Sequence, residues 1–220
     1  TLRGKHRAEP AAAASATAAT AEAIESRYEL LEELGRGAMG VVYKARDKRL
    51  GRIVALKRLT DSLRGHPTAI AYFEREARSA AALNHPNIVV VYDAGQENGQ
   101  YFITMEHLEG TTLEQIVSKR GPTSAAVVAS LGLQICAGLH YAHANKIIHR
   151  DIKTANLFYT RERVVKIMDF GLAKMIEEVR KGATMIGGTP YCMAPEQALG
   201  QNVDHRADRY ALGATFFNLL

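Results

Sequence analysis

The stretch Ile147-Ile148-His149-Arg150-Asp151-Ile152-Lys153-Thr154-Ala155-Asn156 decides how the rest of the chain is read. It packs a carboxylate, a lysine two residues later and an amide five residues later into one short polar run. Before it, Val128, Leu131, Ile135, Leu139 and Ala142 recur at steps of three and four, the spacing of one helix face, so 124–144 reads as the longest helix. After it, Leu157-Phe158 opens a strand-like segment. A polar loop held between two rigid elements is where reactive groups tend to sit.

Upstream, Tyr28-Glu29-Leu30-Leu31-Glu32-Glu33-Leu34 runs into Gly35-Arg36-Gly37-Ala38-Met39-Gly40 and then Val41-Val42-Tyr43-Lys44-Ala45, read as strand, glycine turn, strand. Glycines at this spacing let a backbone approach a ligand and point N–H groups at phosphate oxygens. A dinucleotide fingerprint needs a helix directly after the glycines. Here β-branched and aromatic residues follow, which favours a second strand; a tight hairpin without a ligand is the plainer alternative. Arg52-Ile53-Val54-Ala55-Leu56-Lys57 is a third strand. Lys57 emerges beside buried surface, either as a snorkelling surface side chain or as a cation meant for phosphates.

Ile70, Phe73, Ala77 and Ala80 predict a helix over 68–83, with Thr68 as a possible cap and Pro86 ending it. Glu76 flanks its apolar face, either solvated beside Arg75 or Arg78 or turned toward Lys57. Two further strands are expected at 88–92 and 101–105, joined by a turn over 95–100. A connector from Met105 to Gly110 then leads to a helical unit that begins at 112–117 and is stopped by Gly121-Pro122.

The bulk numbers bound the rest. With 220 residues, 47% hydrophobic and 23% charged, the chain is an ordinary globular sequence long enough for a real core. A net charge of +5 suits phosphate-bearing ligands but is too diffuse to argue for nucleic acid, and no nucleic-acid partner is expected. Cys136 and Cys192 stand far apart in no metal-ligand spacing, which fits free thiols in a reducing, cytoplasmic setting. No uninterrupted apolar run of about 18 residues occurs, so no membrane segment is expected. Residues 1–26, polar and basic and then almost all Ala, Thr and Ser, read as a disordered tail. The sequence starts without Met and stops at Leu219-Leu220 within an apolar pattern, so both ends read as cuts.

Taken in order, these motifs resemble the eukaryotic-type protein kinases over 28–220. The likeness is greatest to the serine/threonine kinases of bacteria, through Arg27-Tyr28-Glu29-Leu30, His85-Pro86-Asn87-Ile88-Val89 and Ala194-Pro195-Glu196-Gln197. Asp169-Phe170-Gly171 follows a strand-like 164–168, and Asp208 and Gly213 resemble the start of the buried helix that anchors the catalytic loop. The resemblance implies an α+β bilobal fold. Its N-lobe, 27–106, would hold a five-stranded antiparallel sheet plus one helix; its C-lobe, 107–220, would be mainly helical and incomplete at its end.

The resemblance also implies roles. Backbone groups of Gly35, Arg36, Gly37, Ala38, Met39 and Gly40 would cover ATP phosphates, and Lys57, held by Glu76, would contact two of them. Met105, Glu106 and Leu108 match the connector that receives adenine; Val42, Ala55 and Phe158 match the apolar walls around it. Asn156 and Asp169 would hold Mg²⁺, Asp151 would take or orient the proton of the attacking hydroxyl, and Lys153 would steady the transferred phosphate. Lys153 and Thr189, the latter a docking residue, point to protein substrates with Ser/Thr acceptors. Arg150 beside Asp151 points to control by phosphorylation, with Thr184 as the main acceptor.

Departures are few. Thr154 stands where the family usually has proline, and Ala207 and Arg209 put the packing around Asp208 in question. The family's later helices, and the basic residue that pairs with the Glu196 position, are missing from this sequence. The competing readings are a nucleotide-binding pseudokinase, a small-molecule phosphotransferase of related fold, and an inactive fragment of an active parent. The first often loses Lys57, Asp151, Asn156 or Asp169, and all four are present.

Overall fold

The computed structural model describes residues 27–37, 40–60, 70, 77, 78, 80–97, 99–170 and 190–220. The N-terminal part is one antiparallel sheet of β1 (Tyr28–Gly37), β2 (Gly40–Asp47), β3 (Arg52–Leu59), β4 (Val91–Glu97) and β5 (Gln100–Glu106), in the order β1-β2-β3-β5-β4. The central strands β3 and β5 bury most of their residues, because their edges are paired and each face carries its own cluster. Alternation sorts the side chains. Val54, Leu56 and Phe102 join Tyr28 and Ala45 on one face; Ala55, Leu59, Tyr101, Ile103 and Met105 join Ala77 and Val89 on the other.

The predicted fold class stands: a five-stranded antiparallel sheet followed by a mainly helical part. Two boundaries differ. The strand expected at 88–92 is β4 at Val91–Glu97, and Gly95 is paired with Phe102 rather than placed in a turn. Gly99, at φ +75°, carries the turn. Residues 88–90 are drawn off because Ile88 and Val89 attach to Ile167 far along the chain, through a parallel bridge and a 3.0 Å Val89 N–H to Ile167 carbonyl bond. Of the helix expected at 68–83, residues 70, 77, 78, 80 and 81 are helical. Its cap at Thr68 lies outside the described residues.

The C-terminal part holds a second sheet of β6 (Gly110–Thr112), β7 (Leu157–Thr160) and β8 (Val165–Ile167), all antiparallel, with β7 and β8 at the strand-like 157–158 and 164–168 of the sequence reading. Only β6 was not expected; its Gly110-Thr111-Thr112 carries too little pattern to be read as a strand. α1 (Leu113–Arg120) starts on a capping box between Thr112 and Gln115, and α2 (Ala125–Ala144) starts on Ser124. A short α3 (Pro195–Ala198) precedes α4 (His205–Leu219), whose cap is Asp204. By length and composition α2 is apolar enough to cross a membrane, unlike the expectation from apolar runs. Its Val128, Leu131, Ile135, Leu139 and Ala142 instead form the core with Ile152, Leu157, Ile167, Ala211 and Leu212.

Gly138 shows how closely α2 approaches β8. A Cβ there would lie 3.0 Å from Ile167 Cδ1 and 3.1 Å from the Asn87 carbonyl oxygen, and the latter is backbone that cannot give way. Gly138→Val is expected to destabilise the fold by about 1–3 kcal/mol through overpacking. Urea unfolding checks this: the midpoint falls while the slope stays unchanged.

Candidate active site

The loop at 147–156 is held from below by α4. Asp208 is fully buried, and its two carboxylate oxygens accept the His149 N–H at 2.9 Å and the Arg150 N–H at 2.7 Å. Its Oδ2 also meets His143 Nε2 at 2.7 Å, from the last turn of α2. Burial works against ionisation of Asp208, but the hydrogen bonds from His143 and the two amides outweigh it and hold the carboxyl below its ordinary range. Two turns on, the Thr215 hydroxyl donates to the Ala211 carbonyl of its own helix at 2.7 Å, with the Ile152 carbonyl 3.4 Å away. Ala207 is buried and Arg209 exposed, so the two departures from the family pattern leave this packing intact.

A hairpin sets the upper side. β7 pairs with β8 so that Leu157 faces Ile167, and the Met168 N–H bonds the Asn156 carbonyl at 2.9 Å. Asn156 therefore ends up beside Asp169, although 13 positions separate them in the sequence. The Asn156 amide nitrogen donates to the Asp151 carbonyl at 2.8 Å and to Asp151 Oδ2 at 2.9 Å. Lys153 Nζ lies 2.7 Å from the same carboxylate oxygen. His149 ties the two strands of chemistry together. Its Nε2 bonds the Met168 carbonyl at 2.8 Å, its Nδ1 accepts the Asp151 N–H at 3.2 Å, and its ring packs edge-on against Phe170. These partners require the neutral ring with its proton on Nε2.

Lys57 Nζ lies 2.8 Å from Asp169 Oδ1, with the lysine side chain almost wholly buried. Burial again opposes ionisation of Asp169, and Lys57 more than offsets it, so the carboxyl sits below its ordinary range. Asp169 and Arg150 both adopt left-handed backbone, φ +58° and +69°, which non-glycine residues take up only when their surroundings impose it. The expected partner Glu76, like Ala38, Met39, Thr184 and Thr189, lies outside the described residues.

The glycines divide by role. Gly35 and Gly37 have open space where a side chain would be, whereas a Cβ on Gly40 would strike the Arg58 carbonyl of β3. Gly40 is thus required by strand packing, and Gly35 and Gly37 are the positions open to a ligand. Arg36 is paired with Glu33 at the surface. Val42, Ala55, Met105 and Leu108 gather in one cluster, while Phe158 is half-buried on β7, outside it. Glu106 is more committed than the sequence reading assumed. Its N–H bonds the Val90 carbonyl, and its Oε1 accepts from the Val90 N–H at 2.8 Å and from Lys166 Nζ at 2.6 Å.

The sequence is similar to serine/threonine-protein kinase PknB of Mycobacterium tuberculosis, 42% identical over 205 residues. That alignment covers 90% of this chain and 33% of the relative. It is also 39% identical over 198 residues to a probable serine/threonine-protein kinase of Clostridium perfringens, covering 90% of this chain and 29% of that protein. The structure is similar to the crystal structure of the Mycobacterium tuberculosis PknI kinase domain, with a TM-score of 0.74 and 31% identity, over 88% of this chain and 74% of that one. The family model described as protein kinase domain matches residues 28–220. The chain belongs to the protein kinase family. It spans about a third of the length of the curated kinases it matches. Among the contacts of this kinase chain that escaped the sequence reading are His143 on Asp208 and Lys166 on Glu106. A histidine six residues before the His149 loop, on the buried side of α2, was the available signal for the first. The second had none.

Asp208→Ala would leave two buried N–H groups without an acceptor, an expected loss of about 3 kcal/mol or more. The carboxyl is depressed in the folded state, so its contribution is present above its ordinary value of 3.8 and lost as pH falls through the lower folded value. Denaturant unfolding between pH 5 and pH 2 is therefore expected to show a steeper loss of stability in the unsubstituted chain than in Asp208→Asn, which has no proton to gain.

Proposed function

We propose that this chain transfers the γ-phosphoryl group of ATP to Ser and Thr hydroxyls of proteins. The observation that carries the reading is the joining of two clusters, Asp151–Asn156–Lys153 and Lys57–Asp169, by the β7–β8 hairpin and His149. Phosphoryl transfer asks mainly for positioning and charge neutralisation. Lys57 supplies a buried cation, and Gly35 and Gly37 offer open backbone above it. Val42, Ala55, Met105 and Leu108 provide an apolar slot for a base.

The donor set suits Mg²⁺. Among the described residues no cluster of three acidic, His or Cys side chains can hold an ion, so any metal here would rest on few protein ligands. Mg²⁺ is ordinarily bound that way, through one or two protein oxygens completed by phosphates and water. Asp169 offers an ionised carboxylate, and the Asn156 amide nitrogen is spent on Asp151, which leaves its oxygen as the ligand. A bound ion would neutralise charge on the phosphates.

Asp151 has both neighbouring donors on Oδ2, which leaves Oδ1 to accept the proton of an incoming hydroxyl. Lys153, at the same carboxylate, stands where it can also meet a transferred phosphate. The choice of Ser/Thr acceptors rests on Lys153, on Thr189 and on the printed names of the relatives. Among the described residues no carboxylate pairs with the Arg150 side chain, which supports phosphorylated Thr184 as its partner. A pseudokinase is disfavoured because Lys57, Asp151, Asn156 and Asp169 are all present, paired as Lys57–Asp169 and Asp151–Asn156.

Intact mass before and after Mg²⁺ and ATP tests the reading. The chain is expected to gain phosphoryl units, with Thr184 among the modified positions, while Lys57→Met gains none. Asp151→Asn is expected to lower kcat on a Ser/Thr peptide by roughly 10²–10⁴-fold, the usual contribution of a general base. Labelling mainly on tyrosine overturns the acceptor assignment, and no gain in mass overturns the activity of this chain.

A further inference from the structure

We infer that Gln197 is a positioning residue for phosphoryl transfer: through the Arg150 carbonyl it fixes the peptide plane that carries Asp151. The inference rests on the kinase reading above and adds to it a residue outside the loop and outside the nucleotide slot.

Gln197 lies on α3 and is buried. Its Nε2 donates to the Arg150 carbonyl at 2.9 Å, and only the amide nitrogen can make that bond, so the orientation of the amide is determined. The N–H of the same peptide unit, that of Asp151, donates to His149 Nδ1 at 3.2 Å. The unit between Arg150 and Asp151 is thus held at both edges, its oxygen by α3 and its nitrogen by the ring of His149. On its other side the Arg150 N–H is fixed by Asp208 at 2.7 Å. Arg150 has φ +69°, a conformation it would leave if its neighbours released it.

Removing the Gln197 donor frees one edge of this unit. The Arg150 carbonyl then has a reason to rotate toward solvent, and rotation about that unit moves the next Cα, which is that of Asp151. Asp208 cannot prevent this, because it holds only the N–H groups of His149 and Arg150. Among the described residues the Gln197 amide is the one side-chain hydrogen bond from segment 190–201 to the 147–156 loop. That segment directly follows the stretch holding Thr184 and Thr189.

The test uses the full chain with Gln197→Met, which keeps the length and removes the donor, and Gln197→Glu. In the methionine variant kcat on a Ser/Thr peptide is expected to fall about tenfold, the effect of one lost buried hydrogen bond, with KM for ATP within about twofold of the parent. The glutamate variant carries a sign that a merely structural role does not. Its ionised carboxylate repels the Arg150 carbonyl, whereas its protonated form can donate to it. Burial beside that carbonyl raises its pKa. Activity relative to the parent is therefore expected to rise as pH falls from 8.5 to 6 in Gln197→Glu and to stay flat in Gln197→Met.

Hydrogen exchange is read on the same samples and needs no turnover: amides at 150–152 are expected to exchange faster in Gln197→Met. An unchanged kcat per folded molecule, or a glutamate variant whose relative activity ignores pH, overturns the inference. A parent chain that transfers no phosphate defeats the kinase reading instead; the exchange data then decide the positioning claim alone, and unchanged exchange overturns it.

Discussion

The buried carboxylate of Asp208 is the contact on which the rest of this molecule depends. A charge inside a core survives only with partners, and here the partners are the His149 and Arg150 N–H groups of the 147–156 loop and the imidazole of His143. The exchange is reciprocal. The loop satisfies the carboxylate, and the carboxylate holds Arg150 in a backbone conformation it would not choose alone. Thr215, seven residues on along α4, is buried close to the same loop, 3.4 Å from the Ile152 carbonyl, with its hydroxyl donated to Ala211. One helix face thereby carries the reactive loop on a rigid base.

Above that base the arrangement is a matter of strand register. The β7–β8 hairpin brings Asn156 next to Met168 and hence to Asp169, and Asp169 then reaches Lys57 on the sheet of the other part. The sheet is fastened to the same hairpin through Ile88 and Val89 on Ile167, and through Glu106 on Lys166. The two parts are therefore joined through elements that share β8. A strand of three residues can do this because its neighbours on both sides are paired or packed, and its Val165 and Ile167 are fully buried.

Much of this was legible in the sequence. The apolar run of β3 and the apolar steps of α2 mark burial directly, since a strand covered on both faces reads as a continuous run and a helix face as steps of three and four. The polar loop announced itself by the rarity of Asp, Lys and Asn so close together between apolar elements. Less legible was anything made by distant partners. The sequence put the strand before Gly95 three residues too early, because it could not show that Ile88 and Val89 are taken by β8. It treated the three loop glycines as equals and could not show that the Arg58 carbonyl leaves no room for a side chain at Gly40. It matched the backbone of Glu106 to the connector for adenine, and it could not show that the N–H and one carboxylate oxygen of that residue are bonded within the protein.

By itself the sequence determined the chemical groups and their order: a glycine turn between strands, a lysine after an apolar run, a loop with Asp151, Lys153 and Asn156, and then Asp169. Those are local facts, fixed by residue type and spacing. Only the tertiary structure decided which of these groups meet, that Lys57 reaches Asp169, that His143 and two amides converge on Asp208, and that Gln197 closes the frame around the Arg150 peptide. The physical reason is that such contacts join residues tens of positions apart, and their geometry is set by the packing of helices and the register of strands, which no single stretch of chain contains.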